Sequence, residues 1–319
     1  MEAASGAEGF QQTDQDVVMM YALPMHHSFG LVVILMTSFH KGSTVVIVPG
    51  LSISRALEAI EKERVSIFMG VPPAFVAASN LAEREGIKYD LSSLRLCAGA
   101  GAPVTTEVVE RFKQYYGLDL IQFWGLTEAV AHNTCQSLDA TKKPESAGKA
   151  LPGWKIKVVD DNDRELPPDQ PGEVLVGGPL MTGYYNDPRA TAEIIKDGWL
   201  YTGDIGRIDE DGELFILGRK KEMIIVSGQN IFPSDIEDVL SIHPKVAGVV
   251  VVGVPDPKRG ETVRAAINLK DGEVATEEEI RSFCREHLAD YKVPRQIMFV
   301  DSLPRTATGE IRKEEIKAL

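Results

Sequence analysis

Residues 199–230 read WLYTGDIGRIDEDGELFILGRKKEMIIVSGQN, and three textures meet inside this stretch. Tyr201-Thr202-Gly203-Asp204 sets a carboxylate behind a glycine. That pattern fits an Asx-type turn of a hairpin, or an aspartate fixed to accept two hydrogen bonds from ribose hydroxyls. Asp209-Glu210-Asp211-Gly212 is turn chemistry, and Leu214–Leu217 behind it is a short apolar strand. Gly218-Arg219-Lys220-Lys221-Glu222 is charged and reads as exposed chain, which suits a hinge between folding units. A short apolar strand and a glycine turn at Ser227-Gly228 follow. A hairpin, a solvated linker and a strand would also account for it all.

The textures continue outward. Upstream, strands at Val17–Tyr21, Thr44–Val48, Ile67–Gly70, Leu94–Ala98 and Leu120–Phe123 alternate with helices at Gly30–Phe39, Ser54–Lys62, Pro73–Arg84 and Thr105–Tyr116. Such alternation predicts a parallel α/β sheet with helical crossovers. From Gly148 to Leu217, short strands (Ile156–Val159, Glu173–Val176, Leu214–Leu217) lie between Asp/Asn/Gly/Pro turns, as in a small barrel or meander. Downstream, helices at Pro233–Ser241 and Glu277–His287 flank strands at Ala247–Val254 and Val263–Leu269. The expected fold class is α/β. Residues 1–217 form a large unit, with an α/β part at 1–147 and a β-rich part at 148–217. A hinge at 218–222 leads to a smaller α+β unit at 223–319.

The bulk numbers narrow the function. Lysines and arginines number 34 against 47 acidic residues, so the net charge is −13. That opposes general binding to nucleic acid or anionic membrane, while leaving room for a local basic pocket. The three cysteines, Cys97, Cys135 and Cys284, are far apart with no CxxC, and a reducing cytoplasm is the simplest setting. The first residues, MEAASGAEGFQQTDQD, lack a basic region followed by an apolar run, so no signal peptide is expected. The apolar stretch Val17–Phe39 is interrupted by Pro24, His26 and His27, and reads as core rather than a transmembrane segment.

Two more loops stand out. Gln122-Phe123-Trp124-Gly125-Leu126-Thr127-Glu128 leaves a strand, turns at Gly125 and presents a hydroxyl beside a carboxylate. A threonine hydroxyl can donate to a phosphate oxygen while a glutamate holds Mg²⁺, although a strand-to-loop turn with Trp124 in the core would look the same. Gly99-Ala100-Gly101-Ala102-Pro103 is a run of tiny residues that lets backbone approach a flat ligand, or that simply eases helix–sheet packing.

In their order and spacing, these stretches resemble the acyl-adenylate-forming (AMP-binding) superfamily, which includes acyl-CoA synthetases, luciferases and nonribosomal-peptide adenylation domains. The resemblance runs from about Val17 to the end. It is strongest to fatty acyl-CoA synthetases and 4-coumarate-CoA-ligase-like enzymes, in residues 181–240 (MTGYYNDPRATAEIIKDGWLYTGDIGRIDEDGELFILGRKKEMIIVSGQNIFPSDIEDVL) and 291–310 (YKVPRQIMFVDSLPRTATGE). It implies a large adenylating domain followed by a mobile C-terminal lid. It also implies an acid–thiol ligase reaction: a carboxylic acid and ATP form an acyl-adenylate and pyrophosphate, and coenzyme A then attacks the adenylate. Gly101, Ala102, Pro103, Trp124 and Gly125 would line the nucleotide pocket, with Trp124 stacked on the base. Thr127 would contact the α-phosphate, Glu128 the Mg²⁺, and Asp204 and Arg219 the ribose. Lys221 falls at the hinge, and Ser227, Gly228 and Asn230 at the turn lining the coenzyme A tunnel. Leu23-Pro24-Met25-His26-His27-Ser28-Phe29-Gly30 matches the acyl-pocket motif, with His27 as its gate beside Phe29. No aspartate lies between Leu23 and Leu35 to pair with an α-ammonium, so a non-amino acid, most of all a fatty acid, is the implied substrate.

Two departures accompany the resemblance. The family's Ser/Thr/Gly-rich phosphate loop has no counterpart before Val17, so the first half of the large domain is expected to be missing and strand edges exposed. The family's catalytic lysine position, in Thr308-Gly309-Glu310, holds Glu310. Reversing a charge about 4 Å from a phosphate changes the interaction by roughly 2 kcal/mol at water-like screening. The chain alone is therefore not expected to adenylate an acid. A ligase and a non-catalytic relative stay open as readings. The latter would be a degenerate paralogue, or a split subunit that binds adenylate, coenzyme A or a separate chain supplying the other half.

Overall fold

The computed structural model describes residues 2–102, 104–138, 142–143, 145–305 and 311–319. They divide into two compact units, Met1–Thr202 with Gly206–Ile216, and Gly203–Ile205 with Leu217–Leu319.

The first unit is organised on parallel strands β1 (Val17–Tyr21), β2 (Thr44–Val48), β3 (Ile67–Gly70), β4 (Leu96–Gly99) and β5 (Leu120–Trp124). Their order is β2-β1-β3-β4-β5, and every neighbouring pair is parallel. The sequence VVMMY explains why β1 is central. Val18 and Met20 point into a cluster with Phe29, Val33 and Ile34, while Met19 and Tyr21 point into another with Leu57, Phe75 and Phe112. A strand apolar on both sides needs helices on both faces, as parallel sheets do. Helices α1 (Glu2–Gly9) and α2 (Thr37–Lys41) accompany the first cluster, and α3 (Ile53–Glu63), α4 (Pro72–Glu85) and α5 (Thr106–Tyr116) the second. Thr105 caps α5 through the Val108 N–H, and Gly117 ends it in the left-handed region.

The single helix expected at Gly30–Phe39 is two pieces. Phe29–Met36 is wound as a π-helix, and α2 takes over at Thr37, whose hydroxyl bonds the Val33 and Ile34 carbonyls. Strand β2 ends the sheet order, with Ile47 on it and Met36 and Phe39 on the neighbouring helical segment exposed.

The sheet continues through β6 (Thr134–Cys135), β7 (Ser146–Ala150), β8 (Lys155–Val159), β9 (Gly172–Gly177), β10 (Ile195–Lys196), β11 (Trp199–Ile208) and β12 (Leu214–Arg219). These follow β5 in the order β6-β7-β12-β11-β9-β8, with β10 beside β11, and a short helix α6 (Pro188–Ile194) precedes β10. Strands β6 and β7 cross so closely that a Cβ on Gly148 would lie 1.9 Å from the Cys135 carbonyl carbon. Of the two readings of one stretch, the hairpin turn does not hold. Tyr201-Thr202-Gly203-Asp204 is not a turn but the middle of β11, where Thr202 is buried and donates to the Val174 carbonyl at 2.6 Å.

The second unit is α+β. Strands β13 (Ile224–Val226), β14 (Gln229–Ile231), β15 (Val246–Asp256), β16 (Gly260–Leu269) and β17 (Gln296–Phe299) form one sheet. Helices α7 (Pro233–Ser241) and α8 (Glu277–His287) cover one face through Ile236, Leu240, Ile280 and Cys284. Helix α9 (Lys313–Ala318) sets Ile316 against Val250, Val252 and Ala266 on the other face. Among the described residues, no helix is long and apolar enough to cross a membrane.

An ion pair ties the amino-terminal arm to the sheet. Arg95, just before β4, grips Asp16, just before β1, through Nε at 2.8 Å and Nη2 at 2.6 Å, and also donates to the Phe10 and Gln11 carbonyls. Burial would raise the Asp16 carboxyl, but Arg95, Ser66 and the Thr13 N–H outweigh it and hold it at about 2. A lowered carboxyl adds stability above its ordinary pKa near 3.8, and that stability is lost as pH falls through about 2. Because Arg95 is partly exposed, the expected contribution is about 2 kcal/mol. Asp16→Asn should therefore lower urea stability by about that amount at pH 7, and its stability should change less than the parent's between pH 4 and pH 2. Equal pH profiles in the two proteins would contradict the assignment.

Candidate active site

Ligand sites in open α/β sheets lie beyond the carboxyl ends of the strands. At that end the loop after β1 carries His27 and Ser28, the loop after β4 carries Gly101 and Ala102, and the loop after β5 carries Thr127 and Glu128. Gly101 (φ +84°) and Ala102 are exposed. Pro103 lies outside the described residues. Trp124, half-buried at the tip of β5, packs against the first cluster.

The loop after β5 is locked from within. Its Ala131 N–H donates to the Leu126 carbonyl at 2.7 Å, and the Asn133 N–H to the Trp124 carbonyl at 2.9 Å. The Asn133 side chain accepts from the Leu126 N–H and donates to the Ala129 carbonyl. Val130 and Ala131 sit consecutively at positive φ (57° and 79°), a conformation costly for both and especially for a β-branched residue. Gly125 makes this closure possible, because a Cβ there would lie 2.3 Å from the Ala131 carbonyl oxygen. Beneath the loop, His132 is buried, and among the described residues neither ring nitrogen has a hydrogen-bond partner. It stacks on Phe10 at 4.5 Å, and burial drives it down to about 3, so it serves as a neutral aromatic spacer.

The loop presents Thr127 and Glu128 outward on a short 3-10 turn. The Thr127 and Ser28 hydroxyls share a hydrogen bond of 2.9 Å, so the loops after β1 and β5 meet. Tyr184 donates its phenol proton to Glu128 Oε1 at 2.7 Å, and the Met181 N–H reaches the Glu128 carbonyl at 2.9 Å. Burial first, and then this bond, push the Tyr184 phenol up to about 12. Neither the Ser28–Thr127 contact nor the Tyr184–Glu128 contact is visible in the sequence. The only local sign of Tyr184 is the aromatic pair after Gly183.

His27 turns inward only in part. Its Nδ1 accepts the Phe29 N–H at 3.2 Å, while Phe29 is buried edge-on to Phe123. Asp204 is buried and paired with the half-exposed Arg219 through Nε at 2.7 Å. In the second unit, Lys221 is exposed on the short turn Lys220–Glu222, and Glu222 is bound by Lys313 at 2.6 Å. Ser227 (φ +52°) and Gly228 (φ +83°) form the two-residue turn joining β13 to β14, followed by exposed Asn230. Glu310 lies outside the described residues.

The donor set bears on a divalent cation. No group of three or more His, Cys, Asp or Glu side chains able to hold a metal occurs among the described residues. A single carboxylate such as that of Glu128 is compatible with Mg²⁺, which is commonly held by one or two carboxylates together with ligand phosphates.

The molecule compares closely with known proteins. The chain is 41% identical over 298 residues to a long-chain-fatty-acid–CoA ligase of Escherichia coli, covering 93% of this chain and 53% of that protein. It is 35% identical over 302 residues to a feruloyl-CoA synthase of an Amycolatopsis species, covering 93% and 60%. The crystal structure of ATP-bound MatB from Rhodopseudomonas palustris superposes with a TM-score of 0.92 at 29% identity, covering 99% of this chain and 62% of that one. The chain thus spans about half the length of the curated ligase it matches. The model of the AMP-binding enzymes matches residues 1–185, and that of their C-terminal domain residues 235–310. Since the first of these alone takes in more than half of the sequence, the chain belongs to the AMP-binding enzyme family.

Proposed function

We propose that this chain carries the adenylate- and thiol-handling part of an acid–thiol ligase that converts a fatty acid, ATP and coenzyme A into acyl-CoA, AMP and pyrophosphate. The observation that carries this reading is the outward presentation of Thr127 and Glu128 from a locked loop at the carboxyl end of β5, in a chain of the AMP-binding family. In this reading Thr127 donates to the α-phosphate, and Glu128 with ligand phosphates holds Mg²⁺, which neutralises phosphate charge when bound. Asp204 accepts from the ribose with Arg219 beside it, and Gly101, Ala102, Pro103 and Trp124 enclose the base above Gly125. His27 and Phe29 border the acyl chain. Lys221 marks the hinge, and Ser227, Gly228 and Asn230 form the coenzyme A tunnel. A non-amino carboxylic acid is favoured by the absence of an aspartate between Leu23 and Leu35, and a fatty acid among these by the ligase of E. coli at 41% identity. The three cysteines are buried and unpaired, with burial pushing Cys97 and Cys135 up to about 12, which suits a reducing compartment such as the cytoplasm.

Glu310 separates the two half-reactions. A carboxylate where the family has lysine repels the phosphates during adenylation, and losing one transition-state donor already costs about a hundred- to a thousandfold in rate. Attack of a thiol on a finished adenylate makes no such demand. Mixing the purified chain in excess with ATP, Mg²⁺ and a long-chain fatty acid should release no pyrophosphate in a single turnover, while a supplied acyl-adenylate is bound. A pyrophosphate burst would overturn the assignment to Glu310, and failure to bind the adenylate would overturn the functional reading.

A further inference from the structure

The segment before α6 holds Glu128 at two points. The Met181 N–H binds its carbonyl oxygen at 2.9 Å, and the Tyr184 hydroxyl binds carboxylate oxygen Oε1 at 2.7 Å. Among the described residues no hydrogen bond reaches the other carboxylate oxygen. The grip is itself braced. The Tyr184 N–H donates to Thr191 Oγ1 at 2.9 Å, and the Thr191 hydroxyl donates to the Asp187 carbonyl at 2.9 Å. Asp187 caps the same helix through the Ala190 N–H. Gly183, at φ +150°, brings the chain so near that a Cβ would lie 3.0 Å from Thr191. The backbone that carries the phenol is therefore held by α6, and the phenol itself is held by its bond to Glu128. Tyr185, its neighbour, is 93% exposed and carries no such bond.

We infer that Tyr184 is a positioning residue that orients the Glu128 carboxylate, occupying Oε1 and presenting Oε2 to the divalent cation of a bound metal–nucleotide. This rests on the reading of Glu128 given above. The physical reason is that a lone glutamate rotates about its side-chain bonds, and a fixed donor on one oxygen removes most of that freedom before the cation arrives. Partners of this kind, one bond removed from a metal, typically change its affinity by about 10–100-fold.

The test measures binding of Mn²⁺, read by electron paramagnetic resonance, to the full chain in the presence of ATP. Tyr184→Phe keeps the ring and removes the hydroxyl. Its Mn²⁺ affinity should fall about tenfold or more, while its affinity for ATP without metal stays at the parent value. Glu128→Gln should lose the Mn²⁺ signal, and Tyr185→Phe should match the parent. Should Tyr184→Phe fail to fold, Thr191→Val removes the acceptor of the Tyr184 N–H, and the same loss in Mn²⁺ affinity is expected. An unchanged Mn²⁺ affinity in Tyr184→Phe, with Glu128→Gln inactive in binding, would overturn the role of Tyr184 and leave Glu128 as the ligand. If the parent itself binds no Mn²⁺ with ATP, the reading of Glu128 fails and this inference fails with it.

Discussion

Gly125→Ala is expected to disable the site while leaving most of the fold in place. The added methyl would sit 2.3 Å from the Ala131 carbonyl oxygen and 2.6 Å from the His132 nitrogen. Both are backbone atoms, so no side-chain rotation relieves the clash. Residues 125–132 must spread, which breaks the Ala131-to-Leu126 bond and shifts Thr127 and Glu128. Overpacking of this kind costs about 3 kcal/mol at its upper range, and displacing binding groups by about 1 Å costs on the order of 100-fold. Calorimetry with a hydrolysis-resistant acyl-adenylate analogue, run beside urea denaturation, should show both losses. Gly117→Ala is the matched control. Its position is also at positive φ (+69°) but in open space, so about 1–2 kcal/mol of stability should go with no change in ligand affinity. An unaltered affinity in Gly125→Ala would mean that the loop after β5 does not form the site.

The contrast with Gly117 shows what a sequence can and cannot reveal. The parallel sheet was legible because β1 and β3 are short apolar runs and β5 is apolar except for Gln122, all buried on both faces, and few other arrangements accommodate such strands. The placement of Thr127 and Glu128 on a loop after β5 was legible because a strand, an aromatic and a glycine precede them without interruption. Their partners were not. Ser28 meets Thr127 across 99 positions, and Tyr184 meets Glu128 across 56, so no local pattern records either contact. The π-winding of Phe29–Met36 was hidden for another reason. FGLVVILM is apolar all round and carries no periodicity to distinguish one helical pitch from another. Tyr201–Asp204 was compatible with a turn because Gly203 and Asp204 are turn residues. They lie within a ten-residue strand, where buried Asp204 finds its partner in Arg219.

The second large effect is expected at Glu310. Exchanging it for lysine changes one repulsive interaction into an attractive one, each about 1 kcal/mol at 4 Å in water-like surroundings. The analogue should bind Glu310→Lys about 30-fold more tightly than the parent, and Glu310→Gln about fivefold more tightly. Raising the salt concentration should narrow both differences, because exposed charges are screened. Equal affinities in all three proteins would place residue 310 away from the ligand, and a failure to adenylate would then need another cause.

The most direct measurement of the central claim is calorimetric titration of the unaltered chain with the acyl-adenylate analogue, repeated on Asp204→Asn. The proposed half-site predicts one ligand bound per chain, and weaker binding once the buried Asp204 carboxylate can no longer accept from the ribose. No binding by the unaltered chain, or binding indifferent to Asp204, would contradict it.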